Sequence, residues 1–296
     1  MCKNVKERLD SLSSSEENIQ ELYSIFNSID GNALPLIRFY IYEGAFVIRQ
    51  RINPKGKDIS LISELSYPPV LFCKGYGRAN LPYHPMFYCC SFSSDGDDPL
   101  PRFLTLLETS EFIKDIESIG IERATCSRWD VIEKLNLLAL PFSSSYKRTT
   151  TVIEQIKAEW EKERNNKNIN KEALELIEYM SNEIAKNITD NKDYFIIANF
   201  VNYLLYINIK TKDSDGIIFP SVAAEGQGFN VVLKPEAADS KLEFGGASLC
   251  YLVKNGKKAH LVIVNHSIGK NEDGTLIYEK EKDLNEDKFS SFTFIN

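Results

Sequence analysis

The chain has 296 residues and a mass of 33.7 kDa, enough to form one large domain with a substantial core. Its 43% hydrophobic and 26% charged residues are close to the averages of globular proteins, which excludes a mainly disordered, collagen-like or coiled-coil chain. With 35 basic and 42 acidic residues the net charge is −7, so we expect no nucleic-acid partner. No apolar run reaches the roughly 18 residues that a membrane helix needs, so we expect no membrane partner either.

The cysteines and histidines follow no pattern of a metal or redox site. The six cysteines form no Cys-x-x-Cys pair, and the three histidines lie at no ligand spacing from a cysteine. The N-terminal residues lack the apolar segment of a secretory signal. We therefore expect no metal cofactor, reduced thiols and a cytoplasmic location.

In chain order, the hydrophobic pattern changes from helix to strands, then to helices and back to strands. The predicted helices cover residues 12–30, 102–110, 150–192 and 194–206, the third being divided at 165–168 into an antiparallel pair. The predicted strands cover residues 36–42, 45–51, 85–92, part of 123–140, 216–219, 229–233, 242–253 and 260–265. Residues 53–83 are polar and rich in Gly and Pro, which predicts a long loop. Strands at both ends and helices between them indicate an α+β fold with a central helical insertion.

Two glycine motifs that would indicate nucleotide binding fail on their context. Gly56-Lys57 lacks the upstream glycine of a phosphate-binding loop. Gly226-x-Gly228 is followed by a predicted strand, whereas a dinucleotide-binding fingerprint needs a third glycine and a helix there. The sequence therefore predicts neither of these nucleotide-binding folds.

A local basic cluster follows the second predicted strand. Arg49 and Arg51 share one face of a strand, so their two guanidinium groups can converge on one anion. Lys55 and Lys57 follow with no acidic residue between them, giving a local charge of +4. From the spacing alone, the pattern favours a solvated strand end with a basic turn.

A second motif precedes the third predicted strand. Gly77-Arg78-x-Asn80 can offer backbone N–H groups and a third guanidinium to phosphate oxygens. Tyr88, within the strand, can stack on a planar ring. The structural alternative is an ordinary turn beside a core tyrosine.

Two later residues complete the candidate site. Glu108 follows the apolar run of residues 103–107 and is either a partly buried acid or a helix-surface residue. Ser221 follows a strand and a proline, and its hydroxyl can point into a cleft or cap the next turn.

Taken in this order, the motifs over about residues 36–240 resemble those of the RES domain family, whose best-known members are bacterial toxins of toxin–antitoxin pairs. The resemblance implies an ADP-ribosyltransferase-like fold with a split β-sheet core. It also implies an enzyme that consumes NAD as its substrate, cleaves the nicotinamide–ribose bond and transfers ADP-ribose to water or phosphate. An antitoxin protein is the partner that it implies.

The resemblance also carries over residue by residue. It assigns catalysis to Arg49, Tyr88, Glu108 and Ser221. It assigns NAD binding to Arg49, Arg51, Arg78, Asn80 and Tyr88. Asn230 with Pro235 resembles the family's late Asn…Pro segment, and Glu111 is the alternative to Glu108.

The predicted organisation is an N-terminal helical segment over residues 1–34, a RES domain over 35–255 with its helical insertion at about 145–192, and a C-terminal β hairpin or tail over 256–296. Two other functions stay open, because the same residues permit an ADP-ribosyltransferase that modifies a macromolecule, or an inactive interaction module. The sequence decides neither the acceptor nor the oligomeric state.

Overall fold

A computed structural model of the chain describes residues 4–30, 34–55, 57–91, 101–140, 150–186, 190–226 and 228–279. These residues form a mixed α/β fold built on a large open sheet. The helices are α1 (Val5–Asp10), α2 (Ile19–Asp30), α3 (Ile62–Leu65), α4 (Pro101–Thr109), α5 (Glu111–Lys114), α6 (Thr151–Arg164), α7 (Lys171–Ala185), α8 (Phe195–Asn202) and α9 (Pro235–Lys241). The strands are β1 (Ile37–Ile41), β2 (Phe46–Ile52), β3 (Phe87–Ser91), β4 (Ile119–Val131), β5 (Leu135–Ala139), β6 (Gly216–Pro220), β7 (Phe229–Leu233), β8 (Leu242–Asn255), β9 (Lys258–Lys270) and β10 (Leu276–Tyr278).

The strands lie in the order β1-β5-β6-β7-β3-β2-β4-β8-β9-β10. Only β5 and β6 pair in parallel; every other neighbouring pair in this order is antiparallel. Parallel neighbours need a crossover connection. The helices of the predicted insertion form it, because they lie between β5 and β6 in the chain. The insertion is therefore part of the sheet's connectivity.

The sheet is nearly interrupted between β2 and β3. These strands pair only at Val47–Ser91 and Ile48–Cys90. From Arg49 onwards β2 keeps its pairing with β4, while β3 continues its pairing with β7 back to Phe87. The two halves of the sheet thus separate on one side of this junction.

Adjacent residues in a strand point to opposite faces of the sheet, and here both faces are covered by core residues. Leu138 and Ile217 pack with α1, α2, α7 and α8 on one face. Leu137 and Ile218 pack on the other face with Phe87 and with Ile156 of α6. Strands β6 and β7 are buried along their whole length, as expected for strands covered on both sides.

The predicted strands 36–42, 45–51, 85–92, 216–219, 229–233, 242–253 and 260–265 are all present, with small shifts at their ends. The helix predicted at 12–30 begins at Ile19, after a 3-10 turn at Glu16–Asn18. Helix α1 was not predicted, although Asn4 and Glu7 form a capping box at its start. Helix α6 lies against β1, and α7 packs against α1, α2 and α8. The two helices also contact each other, because Arg164 pairs with Glu178 at 3.4 Å and Trp160 shares the core of α7, and their antiparallel pairing stays a prediction.

Contacts between elements cross both predicted domain boundaries. Helices α1 and α2 share one core with α7 and α8, and β9 and β10 extend the sheet beyond β8. The turn at 256–257 connects β8 to β9, so β8 itself is one arm of the C-terminal hairpin. Residues 280–296 lie outside the described part of the chain. The division at 34 and 255 stays a prediction.

Candidate functional site

A cavity of about 610 Å³ lies at the junction where β2 and β3 separate. Ligand sites for small molecules commonly have volumes of about 300–1,000 Å³. Six of the predicted site residues line this cavity: Arg49, Arg51, Arg78, Asn80, Tyr88 and Glu108. The seventh, Ser221, is buried and contacts Glu108 directly. The structure therefore brings together residues that are up to 172 positions apart in the sequence.

Arg49 and Arg51 form the cationic wall of the cavity. Their guanidinium groups converge on one acceptor, the carbonyl oxygen of Ser66, at 3.2 Å from Arg49 and 3.0 Å from Arg51. Arg49 also donates to the carbonyl of Tyr88 and lies 5.3 Å from the ring centre of Phe87. As the sequence predicts, the two forks share one target, but here the target is a neutral carbonyl.

The cationic wall carries positive charge that is poorly compensated. Neither Arg49 nor Arg51 forms an ion pair with a carboxylate of the described residues, although Glu64 lies close enough to favour the charged form of Arg51. Burial, aided by the charge of Arg51, lowers the pKa of Arg49 to about 9, and burial also lowers the pKa of Arg51. Both side chains remain cationic at pH 7. Burying these charges costs desolvation free energy, and an anionic ligand would offset part of it.

Arg78 is placed differently from the other two arginines. One of its guanidinium nitrogens donates to the carbonyl oxygens of Ile184 and Lys186, at 2.7 and 2.6 Å, where helix α7 ends. Its guanidinium also lies 5.2 Å from the ring centre of Tyr194. Such contacts satisfy carbonyl groups that lack partners at a helix C-terminus. Arg78 therefore attaches the 77–80 turn to the helical layer, besides lining the cavity.

Tyr88 fixes the same turn from the sheet side. Its hydroxyl donates to Oδ1 of Asn80 at 2.9 Å and accepts from the backbone N–H of Ala79 at 2.9 Å. Burial raises the pKa of Tyr88 well above its usual value, so its hydroxyl stays protonated. The Asn80 side chain lies so close to Gly77 that a Cβ at residue 77 would be 2.2 Å from Oδ1 of Asn80, which favours glycine at this position. The Gly-Arg-x-Asn spacing thus builds the turn itself.

Glu108, Ser221 and Asn230 form the carboxylate wall. Oε1 of Glu108 accepts from the Ser221 hydroxyl at 2.6 Å, from Nδ2 of Asn230 at 2.9 Å and from the backbone N–H of Ala223 at 3.4 Å. No hydrogen bond from a residue in the described ranges reaches Oε2. Ser221 is itself held by the N–H of Ala224 at 3.2 Å. One carboxylate oxygen is thus fixed while the other is available to a ligand.

The structure separates Glu108 from Glu111. Glu108 lies in the last turn of α4, but Ser110 interrupts the helix, and its hydroxyl caps the new helix α5 by accepting from the N–H of Ile113. The side chain of Glu111 is 87% exposed and pairs with Lys114 at 2.8 Å. Of the two carboxylates, Glu108 is the one at the cavity.

Gln50, Thr105 and Lys114 also line the cavity, although no sequence motif pointed to them. Oε1 of Gln50 accepts from Thr105 at 2.8 Å, while its Nε2 is buried with no partner among the described residues. Gln50 lies between two arginines in β2, and nothing in the sequence marks it as a cavity residue. Lys114 contacts the backbone oxygen of Glu108 at 3.3 Å, and no pattern distinguishes it from other surface lysines.

The comparisons with known proteins give no further constraint. Neither the models of known protein families nor the curated proteins produced a match to this sequence. The described residues include no group of three or more His, Cys, Asp or Glu side chains that is arranged to hold a metal ion. In those same ranges, no helix combines the length and the apolar character needed to cross a membrane. All five cysteines of the described ranges are free thiols.

Proposed function

We propose that the chain is an NAD-consuming enzyme of the RES type that cleaves the nicotinamide–ribose bond and transfers ADP-ribose to water or phosphate. The observation that carries this proposal is the presence, in the lining of one cavity, of two arginines that lack carboxylate partners among the described residues and of one carboxylate held by a serine and an asparagine. NAD has matching chemistry, because its pyrophosphate is anionic and its nicotinamide–ribose linkage develops positive charge as it breaks.

The cationic wall would bind the pyrophosphate. Two guanidinium groups that already meet at one oxygen atom, the Ser66 carbonyl, need little rearrangement to meet at a phosphate oxygen. Charge-assisted bonds from arginine forks are stronger than bonds to a neutral carbonyl, so the anion would compete well for these donors. Tyr88 would stack on a ring of the dinucleotide while its hydroxyl stays bonded to the turn.

The carboxylate wall would act on the ribose. Cleavage of the N-glycosidic bond passes through an oxocarbenium-like state, which a fixed negative charge stabilises. The electron pair of the broken C1′–N bond leaves with nicotinamide, while the acceptor oxygen attaches to C1′ and releases its proton. Glu108 would contribute Oε2, which accepts no hydrogen bond from the described residues, to this step. Ser221 and Asn230 would keep the carboxylate oriented through Oε1.

The separation of β2 from β3 supports the finer assignment of an ADP-ribosyltransferase-like split sheet, with the nucleotide bound where the halves part. We extend the proposal to a bacterial toxin that is neutralised in the cytoplasm by an antitoxin protein. This part rests on the resemblance of the motifs alone.

Purified protein incubated with NAD tests the proposal, with nicotinamide and the ADP-ribose product quantified by chromatography. Hydrolysis releases nicotinamide and ADP-ribose in equal amounts, and phosphorolysis gives a phosphorylated ADP-ribose only when phosphate is added. Glu108→Gln should lose the reaction, and the matched variant Glu111→Gln should retain it. Label from NAD found on a macromolecule would redirect the proposal to a transferase. Complete absence of NAD cleavage by wild-type protein, with and without an added acceptor, would contradict it.

A further inference from the structure

A second cavity, of about 180 Å³, lies near the start of α4 and is lined by residues of β2, β4, β8 and β9. None of its lining residues lines the first cavity. Its polar side chains come from Arg102 on α4, Arg128 on β4, Ser248 on β8, and His266 and Ser267 on β9. It therefore has its own set of ligand-binding groups.

An irregularity of the sheet opens this cavity. The register between β4 and β8 shifts between Arg128 and Trp129, and the extra residue on β8 is Gly245. A Cβ at Gly245 would lie 2.3 Å from a carboxylate oxygen of Asp130, and Gly246 has a φ of +136°. Glycines at a bulge have no side chain to cover the backbone, so a ligand can approach the backbone closely.

Arg102 supplies net positive charge to this cavity. It forms no ion pair within the described ranges, and its Nε is buried with no hydrogen-bond partner there. The neighbouring Cys126 does not neutralise it, because burial raises the pKa of that thiol to about 11 even though Arg102 favours the thiolate. Arg128, in contrast, is compensated by Asp130 at 2.7 Å.

The remaining polar groups add hydrogen-bond donors. The oxygen of Ser267 accepts from the backbone N–H of Ala247 at 2.8 Å, which leaves the hydroxyl proton to donate. Ser248 and His266 are 3.0 Å apart across the β8–β9 pair and share one proton between them. No carboxylate of the described residues lines the cavity. Its chemistry is therefore that of an anion site.

We propose that this cavity binds a tetrahedral oxyanion of phosphate size, either inorganic phosphate or the phosphate end of a monoester. The volume holds one such ion with a few waters, given that a water occupies about 30 Å³, but it is too small for a dinucleotide. Guanidinium and hydroxyl donors match phosphate oxygens, and no carboxylate of the described residues is part of the lining. The site is independent of NAD cleavage.

His266 makes the test specific to this site. The chain has three histidines, so their ring signals can be resolved by NMR and assigned by substitution. We expect phosphate, titrated at fixed pH and constant ionic strength, to shift the His266 signals in a saturable way and to leave His260 on the same strand unchanged. Sodium chloride over the same range should shift neither.

Arg102→Gln should weaken the phosphate response of His266 by about tenfold or more, since a charge-assisted contact is lost. Ser267→Ala should weaken it to a smaller extent, which keeps the test valid if Arg102→Gln does not fold. Arg164→Gln removes an equal charge on the exposed face of α6 and should change nothing. An unchanged response in both site variants would overturn the proposal.

Glycerol 3-phosphate, used as a second probe, distinguishes the two sources of the oxyanion. A response to inorganic phosphate alone assigns the free ion, and an equal or stronger response to the monoester assigns a phosphorylated metabolite. Glu108→Gln should retain the full response even though it is expected to lose NAD cleavage, so the two proposals fail separately. Absence of a saturable His266 shift with either probe would contradict the oxyanion site.

Discussion

The two walls of the larger cavity are held in different ways. On the cationic wall, Arg49 and Arg51 donate to the backbone carbonyl of Ser66, a neutral acceptor that an anion can replace. On the carboxylate wall, Glu108 is held through one oxygen by the side chains of Ser221 and Asn230. The first arrangement can exchange its partner for a ligand, whereas the second fixes a charge in advance. This difference divides the proposed reaction into binding on one side and chemistry on the other.

The largest effect is expected from Glu108→Gln, which removes the fixed charge but keeps the shape. We expect kcat to fall by about 100- to 1,000-fold with little change in KM, by analogy with the loss of one preorganised electrostatic group. Steady-state release of nicotinamide measures both constants. Glu111→Gln serves as the control and should keep wild-type kinetics, because the Glu111 side chain is 87% exposed and does not line the cavity. Equal losses in both variants would remove the distinction between the two glutamates.

Arg51→Gln tests the cationic wall, and we choose it because Arg51 is less buried than Arg49. Loss of charge-assisted bonds to the pyrophosphate should cost about 1.5–3 kcal/mol, which raises KM roughly 10- to 150-fold while kcat stays near the wild-type value. Arg164→Gln on the exposed surface of α6 is the matched control. A fall in kcat at unchanged KM would show that the two walls do not divide binding from chemistry.

Ser221→Ala removes the shortest hydrogen bond to Glu108 without touching its charge. A hydrogen bond to a charged group is worth about 1.5–3 kcal/mol. Because Asn230 still holds the same oxygen, we expect the lower end of this range, a fall in kcat of about tenfold with little change in KM. The same kinetic assay checks this, with Ser240→Ala, an exposed serine of α9 that lines neither cavity, as the control. Ser221 acts through Glu108, and a double variant with Glu108→Gln should therefore be no slower than Glu108→Gln alone.

Arg78→Gln is expected to have the smallest effect on catalysis, because its hydrogen bonds attach the 77–80 turn to the end of α7. We expect the free energy of unfolding to drop by about 1–2 kcal/mol, with the melting temperature lower by roughly 2–8 °C. Thermal unfolding followed by circular dichroism measures the loss. An unchanged melting temperature together with a raised KM would place Arg78 with the cationic wall instead.

Much of the sheet was predictable because its strands are apolar runs bounded by turn residues, as in residues 229–233. The common face of Arg49 and Arg51 also followed from strand periodicity alone. The start of α2 was not predictable, since Glu16–Asn18 adopts a 3-10 turn that has the same polar and apolar pattern as a helix. The packing of α6 on β1 and of α7 on α1, α2 and α8 was not predictable, because periodicity gives an apolar face but not its partner.

The choice between Glu108 and Glu111 shows where sequence reasoning on the site ends. Both residues belong to short helices next to apolar residues, so the sequence pattern alone does not show which of them lies at the cavity. The break at Ser110 directs only one of them to the cavity. Likewise, three arginines occur in basic motifs, but only their hydrogen-bond acceptors separate the ligand-facing pair from Arg78. Those acceptors are distant backbone carbonyls, which leave no trace in the local sequence.

The most direct test of NAD as the substrate is the NAD content of cells that express the wild-type chain, Glu108→Gln or Glu111→Gln at equal abundance. If Glu108 carries the chemistry, NAD should be depleted by the wild type and by Glu111→Gln, and it should stay at the control level with Glu108→Gln. Depletion by all three proteins, or by none of them, would contradict the role assigned to Glu108.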